Sequence, residues 1–122
     1  MSDASQTEAR AILNHLASTT FRDCIPLSKE FRELPMNAGI YAVRHRTMGI
    51  LYIGKTRLLR DRFRGGHKAL LWAFIENLNA RDTRITFYEL EFEQWIRLSS
   101  ELESLIIQAV NPPYNVRIPV RE

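Results

Sequence analysis

The chain has 122 residues, 45% of them apolar and 25% charged, with a formal charge of +3 and one cysteine, Cys24. That length supports one compact core and excludes two full catalytic domains. No run approaches the roughly 18 apolar residues of a membrane span, and a lone cysteine excludes both an internal disulfide and a CxxC zinc site. The polar, acidic start over residues 1–8 lacks the basic and then apolar pattern of a secretory signal, so a reducing, cytoplasmic setting is expected.

The charge is unevenly placed. Lys55, Arg57, Arg60, Arg62, Arg64 and Lys68 stand against Asp61 alone, a local +5 that leaves −2 for the remainder. A concentrated positive field suits a polyanion such as nucleic acid. A solvated helix face fits the charge equally well.

In chain order, residues 9–16 show a short amphipathic helical pattern. Residues 18–36 are mixed and broken by Pro26 and Pro35, with Ser28 able to cap a helical turn. Residues 1–37 read as a helical extension packed on a domain that spans 38–122. Residues 39–43 and 50–53 are β-branched and aromatic and predict a β-hairpin. Residues 58–64 predict a short basic helix stopped by Gly65 and Gly66. An apolar helix is expected over 69–78, then a turn over 79–83. Ile85, Phe87, Leu90 and Phe92 mark a third strand whose alternation slips by one residue, with Glu89, Glu91 and Glu93 on its solvated face. A last helix, capped by Ser99 or Ser100, ends at Val110 before Asn111, Pro112 and Pro113. The order predicts an α+β fold with a small central antiparallel three-stranded sheet flanked by helices.

One residue of the last helix is out of place. At about 100° per residue, Glu101, Ser104 and Gln108 form a narrow polar stripe, but Glu103 falls in the apolar arc between Val110 and Ile107. A carboxylate buried without a partner costs several kcal/mol. A basic side chain or a divalent cation would each supply one.

Gly39-Ile40-Tyr41 followed by Tyr52-Ile53-Gly54 resembles the paired tripeptides of the GIY-YIG nucleases. The resemblance continues through Lys55, Leu59 and Arg62, then Glu103 before Ile107, and closes on Pro112 or Pro113, Tyr114 and Asn115. It covers residues 39–115, and the interval from Glu103 to Asn115 is similar to that in the N-terminal nuclease domain of bacterial nucleotide-excision repair proteins. It implies a metal-dependent endonuclease that hydrolyses a DNA phosphodiester bond.

The residue types suit that chemistry. Glu103 is a hard oxygen ligand for Mg2+ or Mn2+. Arg62 can fork onto phosphate oxygens. Tyr52, paired with Lys55, is expected to accept the proton of the attacking water, and Tyr41 to position the attacking group, with the two roles exchangeable. Asn115 is expected to tie the terminal segment to the site. His67 is a partial match, one residue late behind Gly65 and Gly66. Lys55, Arg57, Arg60, Arg64 and Lys68 are expected to contact DNA. Selection of DNA is left to a homodimer, a separate specificity partner or recognition of DNA structure. The competing expectation is an inactive nucleic-acid-binding or protein-interaction module on the same fold.

Overall fold

The computed structural model describes residues 3–26, 34–63 and 80–117. The first element is helix α1, Asp3–Ser18, two turns longer than its apolar pattern predicts. Ser5, Ala9, Ile12 and Leu16 recur at helical spacing and form its buried stripe. A single 3-10 turn, Phe21–Asp23, comes next, with the Thr20 hydroxyl accepting from the Asp23 N–H at 3.3 Å. Strands β1, Ile25–Pro26, β2, Gly39–His45, and β3, Gly49–Thr56, lead to helix α2, Leu59–Phe63. A 3-10 turn at Ala80–Asp82 precedes strand β4, Thr83–Glu89. Helices α3, Phe92–Val110, and α4, Pro113–Arg117, end the described chain. The apolar helix expected over 69–78 lies outside the described residues.

The sheet is antiparallel and has four strands, in the order β1-β4-β2-β3, where the sequence predicts three. The added strand is β1, whose two residues pair with Ile85 and Arg84. Two residues are too few to show a period of two. A second difference lies after β4. The strand stops at Glu89 and α3 begins at Phe92, two turns before the expected serine caps. Glu91 stands at the N-cap, and its N–H donates to Gln94 Oε1 at 3.1 Å. Glu91 and Glu93 are therefore helix-terminal acids that favour the dipole, and only Glu89 belongs to the strand.

The sheet carries a core on each face. On one, Tyr41, Val43, Leu51, Tyr52 and Ile85 pack with Leu59 and Phe63 of α2 and Tyr114 of α4. On the other, Ile40, Ala42 and Ile53 pack with Ile12 and Leu16 of α1 and Leu102 and Ile106 of α3. The residues before the hairpin thus contribute a strand to the sheet and a helix to a core.

Arg44 and Arg84 are cross-strand partners, a like-charge pair that would ordinarily repel. Both reach backbone carbonyls of the N-terminal segment, Arg44 at the end of α1 and Arg84 in the 3-10 turn that follows. Arg44 Nη1 donates to Leu16 O at 3.3 Å and to Thr19 O, and Arg84 Nη1 donates to Phe21 O and Arg22 O, each at 3.1 Å. The negative end of α1 meets Arg44, and Arg84 holds the turn behind it, so the segment that ends α1 is fastened to the sheet. Among the described residues, no helix is long and apolar enough to cross a membrane.

Candidate active site

The hairpin positions the two tyrosines through an irregular register. Val43 pairs with Tyr52 and Arg44 pairs with Ile50, so Leu51 is an extra residue in β3. Such a bulge re-aims the side chains beyond it, and here Leu51 and Tyr52 both join the core shared with α2. Tyr41 and Tyr52 then lie on the same face, with ring centroids 6.2 Å apart.

Two glycines permit close approach. Tyr41 pairs with Gly54, and a Cβ on Gly54 would stand 2.5 Å from both Cζ and Oη of Tyr41. The Tyr41 ring therefore lies across the bare backbone of Gly54. A Cβ on Gly39 would stand 2.6 Å from Tyr88 O and 2.9 Å from Leu59 Cδ1. Without that side chain, Leu59 seats α2 against β2.

Seating α2 brings Arg62 to Tyr41. Arg62 Nε donates to Tyr41 Oη at 3.4 Å, and Phe63 meets the Tyr41 ring edge-on at 4.8 Å. Tyr41 is 0% exposed and Tyr52 is 3% exposed, whereas Arg62 is half-buried. Both phenol rings are thus part of the core, and the Tyr41 hydroxyl is turned to the Arg62 guanidinium.

Lys55 is not where its expected pairing with Tyr52 would put it. It pairs across the hairpin with Ile40 of the opposite core, and its Nζ lies 5.0 Å from the centroid of the half-buried Trp95 ring on α3. Successive strand residues point to opposite faces, so Tyr52 and Lys55, three apart, leave β3 on different sides. Trp95, Ser99 and Glu103 succeed one another at four-residue spacing along α3. Glu103 is half-buried and already engaged by neighbouring groups. Lys55 thus belongs to the α3 side, and Tyr41, Tyr52 and Arg62 to the α2 side, while Glu103 is carried on a half-buried position of α3.

Asn115 stands where the two sides meet. β3 is an edge strand, and its outer backbone would lack partners. The Asn115 amide fills that place as another strand would. Its Oδ1 accepts from the Ile53 N–H at 2.7 Å, and its Nδ2 donates to the Ile53 carbonyl at 2.8 Å. The chain reaches this point because Asn111 closes α3 in the left-handed conformation, φ 53°. Pro113 then starts α4, and Tyr114 enters the core shared with α2.

The remaining expected contacts divide. Arg60 is half-buried, with Nε donating to Leu34 O at 2.7 Å and its N–H to Pro35 O at 3.0 Å. It clamps the segment before β2, which counts against the DNA contact expected of it. Arg57 is exposed. Arg64, His67 and Lys68 lie outside the described residues. Trp95, which the sequence suggests only as a packing or partner-contact residue, and Phe92, expected at the end of a strand, both lie in the first turns of α3. A helical wheel started at Ser99 could not show them on the helix that carries Glu103.

The family model described as the GIY-YIG catalytic domain matches residues 37–115. A UvrABC system protein C from Synechococcus sp. (strain JA-3-3Ab) is 34% identical over 95 residues, 74% of this chain and 14% of the relative. The UvrABC system protein C of Microcystis aeruginosa is 33% identical over 96 residues, 79% of this chain and 14% of that protein. That of Methanothermobacter thermautotrophicus is 34% identical over 95 residues, 74% of this chain and 15% of that protein. The chain therefore spans about one-seventh of the length of these relatives. The matched residues take in the whole hairpin, Arg62, Glu103 and Asn115, and the chain belongs to the GIY-YIG nuclease family.

Proposed function

We propose that this domain is a divalent-metal-dependent endonuclease that hydrolyses a DNA phosphodiester bond, acting in the cytoplasm. The observation that carries the reading is the Tyr41–Arg62 contact, built over Gly54 and closed by Phe63. It holds a permanent cation beside a second tyrosine at a sheet edge. DNA as the substrate also draws support from the basic stretch around α2 and from the likeness to UvrABC system protein C.

Arg62 neutralises charge on the non-bridging phosphate oxygens, and Tyr41 fixes its orientation without meeting the substrate. Tyr52 takes the proton of the attacking water. Lys55 approaches from the α3 side as a second cation for the phosphate. Asn115 keeps β3 in place between the two groups.

The residues present fit a magnesium or manganese ion. Among the described residues, no three His, Cys, Asp or Glu side chains gather, so Glu103 would hold such an ion largely alone. Magnesium accepts one or two carboxylates and completes its shell with water and phosphate oxygens. Bound there, it would polarise a phosphate oxygen and acidify a water.

The test is nicking of supercoiled and branched DNA with magnesium. Glu103→Gln and Arg62→Ala should each slow it by at least roughly a hundredfold, with circular dichroism melts confirming that both variants fold. Cutting retained in both overturns the reading. DNA binding with no cutting by the wild type on any substrate favours an inactive binding module.

A further inference from the structure

A groove of about 410 Å³ opens between the turn that joins β3 to α2 and the start of α3. Its volume is within the roughly 300–1,000 Å³ of small-ligand clefts. Met36, Leu58, Phe92 and Trp95 form apolar walls, and Phe92 is 68% exposed. An aromatic ring that open, at the mouth of a cleft, stabilises little of the fold.

The charges around the groove are unequal in their commitments. Glu89 also lines it, but its Oε1 accepts from Asn37 Nδ2 at 2.6 Å. Glu91 stands at the N-cap of α3, where first-turn N–H groups favour a carboxylate. Arg57, on the rim, makes no hydrogen bond or ion pair among the described residues. Lys55 does not itself line the groove, but its Nζ lies 5.0 Å from the ring centroid of Trp95, which does. The acids have internal partners, and the two cations are available to an anion. Aromatic walls beside unneutralised cations match a nucleotide, with a π-face to stack and a phosphate to pair.

We infer that this groove is a subsite for one unpaired nucleotide of a DNA strand, its base against Phe92 and Trp95 and its phosphate between Arg57 and Lys55. The inference rests on the reading of the domain as acting on DNA, and it adds that the substrate carries a single-stranded nucleotide beside the cutting site. Arg57 directly succeeds β3 and precedes the helix of Arg62, so a strand crossing the site passes the groove. A fully paired duplex keeps its bases stacked and leaves Phe92 unused.

The test omits divalent metal, so binding is read without cutting. Fluorescence anisotropy compares a single-stranded oligothymidylate of about twelve nucleotides with a hairpin duplex of similar length. Phe92→Ala should weaken binding to the single strand roughly tenfold and leave the duplex within about twofold. Arg57→Gln should weaken both and lower the salt slope by about one. Phe92 is exposed, so an unchanged melt is expected for its variant. Equal loss on both probes, or no loss on either, overturns the proposal. So does a Phe92→Ala variant whose only change is a smaller solution mass, because the groove would then face a second copy of the chain. A chain that cuts no DNA yet shows the split would refute the cleavage reading and leave the subsite standing.

Discussion

The two faces of the sheet hold their functional groups by different means. On the α2 side, Tyr41, Tyr52 and Arg62 are set by backbone proximity: a ring across Gly54, a helix seated against Gly39, a guanidinium on a buried hydroxyl. Little can move there without disturbing the core. On the α3 side, Lys55 rests on the face of Trp95 and Glu103 sits on a half-buried flank. Long side chains on ring faces and helix flanks adjust at small cost. A rigid face that orients charge beside a more compliant one is the combination that the proposed cleavage would use, since it calls for pre-set dipoles and for room around them.

Breaking the rigid face should have the largest effect. Gly54→Ala puts a methyl 2.5 Å from Tyr41 Oη. The ring must move, and overpacking of this kind costs about 1–3 kcal/mol. Nicking should fall far more than stability does, because Arg62 loses its orienting hydroxyl. Urea melts and nicking rates on the same preparation check this. Near-normal cutting would mean that the stacked position of Tyr41 is irrelevant to the chemistry.

The seam between the faces comes next. Asn115→Ala removes both hydrogen bonds to Ile53 and leaves an edge N–H and C=O to water or to nothing, at about 1–3 kcal/mol. Asn115→Asp keeps an acceptor for the N–H but sets an oxygen against the Ile53 carbonyl, and should be at least as damaging. Hydrogen exchange at the Ile53 amide reads the contact directly. Protection unchanged in Asn115→Ala would show that the edge does not depend on this side chain.

The same contrast explains how much of the site was legible in the sequence. Tyr41, Tyr52, Arg62, Glu103 and Asn115 stand in a spaced pattern, and the hairpin that joins the first two is marked by two β-branched and aromatic runs, buried on both faces. Glu103 was conspicuous because a carboxylate interrupts an apolar arc. The opposite emergence of Tyr52 and Lys55 follows from their odd spacing along a strand; what composition does not mark is the one-residue bulge at Leu51, which puts Leu51 and Tyr52 in one core. The early start of α3 was hidden for a related reason. Glu89, Glu91 and Glu93 alternate as a strand would, and only the Glu91–Gln94 contact decides for helix. β1 is fixed by its partner β4, a long-range effect that two residues cannot announce.

On the compliant face a smaller effect is expected. A double-mutant cycle of Lys55→Met and Trp95→Leu should show a coupling of about 0.5–1 kcal/mol in stability. Trp95→Phe, which keeps a ring face, should retain part of it. Thermal melts at low ionic strength measure the cycle. Additive losses would mean that the lysine and the ring are neighbours without interaction, and the α3 side would then lack the contact that orders Lys55.

The smallest effect concerns Cys24, at the junction of α1 and the sheet. Burial pushes its thiol up, and the nearby Arg44 and Arg84 offset only part of this. Arg44 Nη1 lies 3.5 Å from its Sγ. The folded chain holds the thiol proton more tightly than the unfolded chain does. The stabilising difference is complete below the unfolded thiol's value of about 8.5, and it is lost as pH rises through the higher folded value. Stability should therefore decline with pH in that alkaline window, and less steeply in Cys24→Ala. Alkylation of native protein near pH 8 should be slow and become fast on unfolding. Rapid alkylation of the folded chain would show that α1 lifts from the sheet, and that the fastening by Arg44 and Arg84 is looser than the carbonyl contacts imply.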